Sequence, residues 1–113
     1  MNIPDNRFFK DSGSKWDEVY PGITRKIIGY DDRLMLVKVK FEKGVEAPAH
    51  HHPHSQSSYI DSGKFEVTLG DEKMILSAGD GFVVPANLQH SVVAIDSGLI
   101  IDAFSPRRKD ILS

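Results

Sequence analysis

Four of the five histidines in this chain fall within positions 50–54, inside the stretch GVEAPAHHHPHSQSSYIDSG that runs from Gly44 to Gly63. Neutral imidazole is a metal ligand, so a cluster of this kind raises coordination chemistry first. On an extended backbone, residues two apart share a face with Cα atoms about 6 to 7 Å apart, which lets the rings of His50 and His52 converge on one ion. His51 then takes the opposite face. His54 has the parity of His52 but follows Pro53, which removes a ladder donor and bends the chain, so its direction stays open. Gln56 follows with an amide oxygen. The fifth histidine closes a second stretch in which Gly79, Pro85, Asn87 and His90 are spaced G-x5-P-x-N-x2-H. Pro85 ends one strand and Asn87 turns the chain, so that His90 starts the next strand facing the same interior. His50, His52, His90 and the Gln56 oxygen make a four-ligand set with room for water or substrate. The chain has no cysteine, so a metal must be held by nitrogen and oxygen, a set open to zinc, nickel, iron, manganese or cobalt. The competing reading is a solvated polar loop with adventitious metal affinity and a structural His90. The joint spacing of the two stretches favours the metal site.

A second chemical feature lies near the end. Ile100, Asp102 and Phe104 share one parity, and Leu99, Ile101 and Ala103 the other. If the first set faces inward, Asp102 enters an apolar cavity near the metal, where its proton affinity can be tuned for acid–base work. The alternative is a solvated carboxylate or the partner of a nearby cation. Arg108 is placed to clamp a carboxylate in bidentate fashion or to serve as plain surface charge.

The elements that must position these residues read as strands. Leu34 to Phe41 alternates, with Met35, Val37, Val39 and Phe41 on one face and Lys38 and Lys40 on the other. Gly63 to Leu76 reads as a hairpin turning at Gly70-Asp71. Gly81 to Val84 is stopped by Pro85; His90 to Ile95 follows, then a turn at Asp96-Ser97-Gly98 and a strand from Leu99 to Phe104. No segment offers an amphipathic helix of ten or more residues. Short strands between frequent turns predict an all-β sandwich or small barrel. Residues 1–15 read as a polar arm before a domain over 16–113, with Phe8, Phe9 and Trp16 packing on this chain or on a partner subunit. The tail from Ser105 to Ser113 is a short helix or a loose end.

Composition narrows the classes. At 113 residues and 40% hydrophobic content the chain fits one domain. A net charge of -2 provides no basic field for nucleic acid, the one cationic cluster being Arg107, Arg108 and Lys109. No stretch approaches the ~20 apolar residues of a membrane span and no signal-peptide core opens the chain, so a cytoplasmic protein without membrane partners is expected.

The two histidine stretches resemble the two motifs of the cupin superfamily, which implies a single-domain jelly-roll (double-stranded β-helix) barrel. Gln56 stands where most cupins carry glutamate, and the asparagine usual after the second-motif histidine is missing from Ser91 to Ala94. A neutral His3Gln shell leaves a divalent ion its full charge, which favours anions and Lewis-acid chemistry and departs from the two-histidine, one-carboxylate triad of iron oxygenases. The run Asp102-Ala-Phe-Ser-Pro-Arg-Arg is similar to the signature of KdgF-type cupins of pectin and alginate breakdown, and the likeness extends from Trp16 to Leu112. That resemblance implies conversion of 4,5-unsaturated monouronates to linear keto-uronates. It implies His50, His52, Gln56 and His90 as ligands of a divalent metal ion, and Asp102, Phe104 and Arg108 as catalytic or substrate residues. It also implies a small anionic sugar substrate and a homodimer. The alternatives are a metal-dependent dioxygenase or other isomerase on the same barrel, and a non-catalytic sugar- or anion-binding module.

Overall fold

The computed structural model describes residues 7–112. Eight strands follow one another: β1 (Asp17–Tyr20), β2 (Ile23–Tyr30), β3 (Met35–Phe41), β4 (Glu46–His50), β5 (Ser55–Leu69), β6 (Glu72–Ser77), β7 (Gly81–Val84) and β8 (His90–Ser105). A single helical turn, α1 (Lys109–Leu112), resolves the tail as a helix. The strands pair in the order β1-β2-β3-β8-β5-β6, with β4 added to β8 and β7 to β5. This is the all-β jelly roll expected, open at β1 and β6 rather than closed. Among the described residues no helix is long and apolar enough to cross a membrane.

The strands differ from expectation in length. The segments His90–Ile95 and Leu99–Phe104 are one strand, β8, and the turn placed at Asp96-Ser97-Gly98 is a bulge within it. Its partner β5 shifts register three times between Ile60 and Phe65. The cause is a close crossing of two glycines. Gly63 holds a φ of +92°, and a Cβ there would come within 2.7 Å of both the Gly98 Cα and the Ser97 carbonyl oxygen. Bulges bend a strand while keeping it paired, and they use the same small and polar residues as turns, so sequence alone reads them as turns. The bend lets each long strand serve two layers. The first half of β8 pairs with β4 and its second half with β3, while β5 accompanies both.

Alternation supplies the core. Phe41 and Phe65 meet edge to face at 5.3 Å in a cluster with Ile60, Val67, Val92 and Ile100. Met35, Val37 and Phe104 form a second cluster, covered by Ile111 and Leu112 of α1. Each such side chain, fully buried, contributes about 1.5–3 kcal/mol. Residues 1–6 of the arm lie outside the described residues. From Arg7 on, the segment lies over the outer face of β2 and β3: the Asp11 carboxylate accepts from Lys26 Nζ at 3.0 Å and Lys38 Nζ at 3.3 Å, and Lys26 and Lys40 stand over the Trp16 ring.

Candidate metal centre

β4 ends at His50, which lies directly across from His90 at the start of β8. His52 is already beyond the strand, so its convergence comes from the loop and not from strand parity. What fixes that loop is the second stretch: Asn87 takes a left-handed φ of +68°, and its backbone N–H donates to the His52 carbonyl at 2.8 Å. Asparagine tolerates this conformation, so the Pro-Asn-His element turns the chain and anchors the first motif at once. The ring centroids of His50 and His90 are 4.2 Å apart, those of His52 and His90 5.0 Å. One ring nitrogen from each of the three lies within 4.8 Å of the others. His51 is exposed and His54 half-buried; neither belongs to this group.

The protonation pattern suits a cation. Nδ1 of His50, His90 and His52 each lies 2.9–3.0 Å from a backbone carbonyl, of Pro48, Leu88 and His54 respectively. A carbonyl only accepts, so Nδ1 carries the proton and Nε2 a lone pair in all three rings. His90 Nε2 is buried with no hydrogen-bond partner among the described residues. His52 Nε2 lies 3.1 Å from Gln56 Oε1, an acceptor facing an acceptor. The Gln56 oxygen is committed to that side because its amide nitrogen donates to Ser58 Oγ at 2.9 Å and to Asp102 Oδ1 at 3.3 Å. Converging lone pairs with no proton between them are what a divalent ion satisfies, so the residues present fit a metal. Burial pushes His90 down to about 4 and also lowers His52, with Arg108 adding to the effect. Both rings are therefore neutral at pH 7, as ligation requires.

The expected acid stands beside this cluster. His50, Gln56, His90, Asp102, Phe104 and Arg108 line one cavity of about 220 Å³, while His52 lines a neighbouring one with Arg108. Ser58 Oγ donates to Asp102 Oδ1 at 2.6 Å. Burial raises the Asp102 carboxyl to about 6, against the opposing pull of the Ser58 hydrogen bond and the Arg108 charge. Phe104 meets the His52 ring edge-on at 5.7 Å and lies beneath the Arg108 guanidinium at 5.0 Å. Arg108 itself is engaged: Nη2 and Nε donate to the two Asp110 carboxylate oxygens at 2.6 and 3.3 Å.

Two residues of the cavity region were not anticipated. Ser58 shares the inward parity of Gln56 and Ile60 on β5, and Arg25 that of Ile23 and Ile27 on β2. In both cases the signal was a polar residue on the apolar side of an alternating strand.

A family model described as a cupin domain matches residues 37–101. The pectin degradation protein KdgF of Dickeya dadantii (strain 3937) is 44% identical over 108 residues, covering 94% of this chain and 98% of that protein. Among solved structures, KdgF from Halomonas sp. is 45% identical with a TM-score of 0.89, covering 92% of this chain and 96% of its own. An RmlC-like cupin from Shewanella frigidimarina NCIMB 400 is 37% identical with a TM-score of 0.90, covering 93% and 95%. The fold, the two histidine motifs and this likeness over nearly the whole length agree: the chain belongs to the cupin superfamily and, within it, to the KdgF family.

Proposed function

We propose that the protein is a metal-dependent enzyme of pectin or alginate breakdown that converts 4,5-unsaturated monouronates into linear keto-uronates. The observation that carries this reading is Gln56, whose oxygen faces the histidine cluster while its nitrogen donates to Asp102, so that one side chain joins a neutral metal site to a half-buried acid. The pectin-degradation role of a relative 44% identical to this chain supports it, and a cavity of about 220 Å³ suits a monosaccharide, not a polymer. His50, His52, His90 and Gln56 would hold the ion, which when bound supplies Lewis-acid polarisation and orientation of the substrate oxygens.

Asp102 does the proton work. With its carboxyl raised to about 6, a useful fraction stays protonated near neutral pH. It gives that proton to the alkene carbon C4 as water adds at C5, and the carboxylate so formed takes back a proton from the added water. The product is a hemiketal. Its hydroxyl proton passes to the ring oxygen as the bond from C5 to that oxygen breaks, leaving a ketone on an open chain. Ser58 and Gln56 hold the carboxylate through its Oδ1, Phe104 packs against the sugar ring, and Arg108 lends positive charge to the cavity wall. We read the enzyme as a homodimer that buries the outward face carrying Tyr59 and Val83, which are exposed neighbours on β5 and β7.

The test is to add metal-loaded protein to lyase-generated unsaturated monouronate and follow loss of the alkene's ultraviolet absorbance. Acceleration over spontaneous decay, abolished in Asp102→Asn with substrate affinity retained, is expected. No acceleration in the wild type would overturn the reading. Iron-dependent oxygen uptake would favour a dioxygenase instead, and binding without turnover a sugar-binding module.

A further inference from the structure

Two arginines line the cavity, and they differ in what already holds them. Arg108 is held by both oxygens of Asp110. Arg25 lines the same cavity. It is half-buried on the inner face of β2, between Ile23, which is buried in one core cluster, and Ile27, which packs on the other. Its neighbour across β3 is Val39, and Asp102 of β8 lies across Val37 on the same face. β2 and β8 flank β3, so Arg25 and Asp102 project into one cavity from strands about 10 Å apart, a span suited to a monosaccharide between two side chains. Burial and the Arg108 charge both hold the Arg25 guanidinium below its ordinary value, yet an arginine stays charged. Asp17, its partner across β1, and Asp110 reach it electrostatically, and the planar fork of a guanidinium lining the cavity matches a carboxylate that enters it.

Resting on the uronate reading above, we infer that Arg25 binds the substrate carboxylate with two N–H donors, while Arg108 remains paired with Asp110. In the unsaturated uronate the carboxylate is borne by C5, so this anchor fixes the alkene carbons relative to Asp102.

The experiment separates this inference from the catalytic reading by measuring binding alone. Wild type, Arg25→Gln and Arg25→Lys, each metal-loaded and checked for a cooperative melt, are titrated with D-galacturonate and with D-galactose. The wild type should prefer the acid to the neutral sugar. Arg25→Gln should weaken acid binding roughly 10- to 100-fold and leave galactose unchanged, with Arg25→Lys in between because it keeps the charge and loses the fork. If Arg25→Gln does not fold, a loss of acid preference in Arg25→Lys supports the assignment by itself. Equal acid affinity in wild type and the folded variants, or no preference for the acid in the wild type, overturns it. Where turnover is seen, Arg25→Gln should raise KM by a similar factor with a smaller change in kcat; absence of turnover with acid binding lost in Arg25→Gln would sink the catalytic reading and leave the anion site standing.

Discussion

Asp102→Asn should stabilise the metal-free protein at neutral pH relative to its effect near pH 4. Burial is the largest influence on this carboxyl and moves it from 3.8 to about 6. The unfolded chain gives up the proton near the lower value and the folded chain near the higher one. Between them the folded state binds more protons, so the stability contributed by the protonated acid is present below about pH 4 and lost as pH rises through about 6. Asparagine does not titrate. At about 1.4 kcal/mol per pH unit, the loss is at most about 3 kcal/mol, which for a chain of this size corresponds to roughly 10 °C in Tm. Thermal melts of both proteins from pH 4 to 8, after chelation and removal of metal, give the difference directly. A melting difference that stays flat from pH 4 to 7 would refute the claim that desolvation outweighs the Ser58 hydrogen bond. Ser58→Ala provides the internal check: without the 2.6 Å bond, the carboxyl should rise further and the transition in wild-type-like stability should move above pH 6.

Zinc or nickel added to the metal-free protein should raise Tm with concentration; His90→Ala should abolish the rise and His51→Ala should preserve it, and equal losses in both would remove the assignment of the cluster. Gln56→Glu should bind metal more tightly but turn over about 100-fold more slowly, because a carboxylate would replace the donor now 3.3 Å from Asp102 Oδ1 with a like charge; an unchanged rate with tighter binding would contradict the role given to the amide. The two glycines that bracket the first motif should differ in urea unfolding. Gly44 has a φ of +84° but open space around it, so Gly44→Ala should cost about 1–2 kcal/mol. Gly63→Ala adds the contact with Gly98 and Ser97 and should cost well beyond that; equal losses would mean that the crossing of β5 and β8 relaxes freely.

How much of this was readable beforehand depends on whether a feature is local. The alternation that buries Met35, Val37 and Phe41 is a period-2 signal with few competing explanations, and the Gly70-Asp71 hairpin is carried by two adjacent residues. β8 was misjudged in length because its bulge is decided by Gly63, some 35 positions away. Asp96, Ser97 and Gly98 carry the same message in a turn and in a bulge; only the partner strand distinguishes them. His52 is similar. Its place in the cluster was inferred from strand parity, yet the structure holds it through a hydrogen bond from Asn87, a contact between the two motifs that spacing within either one does not reveal.

The charged residues show where parity is most informative. Asp102 and Arg25 both occupy the apolar side of an alternating strand, flanked at two residues by Ile100 and Phe104 in one case and by Ile23 and Ile27 in the other. Placing a charge there is costly unless something pairs with it. Asp102 stood out because its strand alternates cleanly. Arg25 is harder to single out, since Lys26 beside it is a second charge on the same strand; the parity of Ile23 and Ile27 favours Arg25, and Asp11 of the arm with Trp16 holds Lys26 on the outer face. With Lys26 committed outward, strand geometry forces Arg25 inward. The segment that covers the outside of the sheet therefore bears on the charge inside it. Variants of Asp11 or Trp16 that loosen this cover should disturb substrate binding through Arg25 before they disturb the metal, and comparing the affinities for D-galacturonate and for zinc in Trp16→Ala would reveal whether they do.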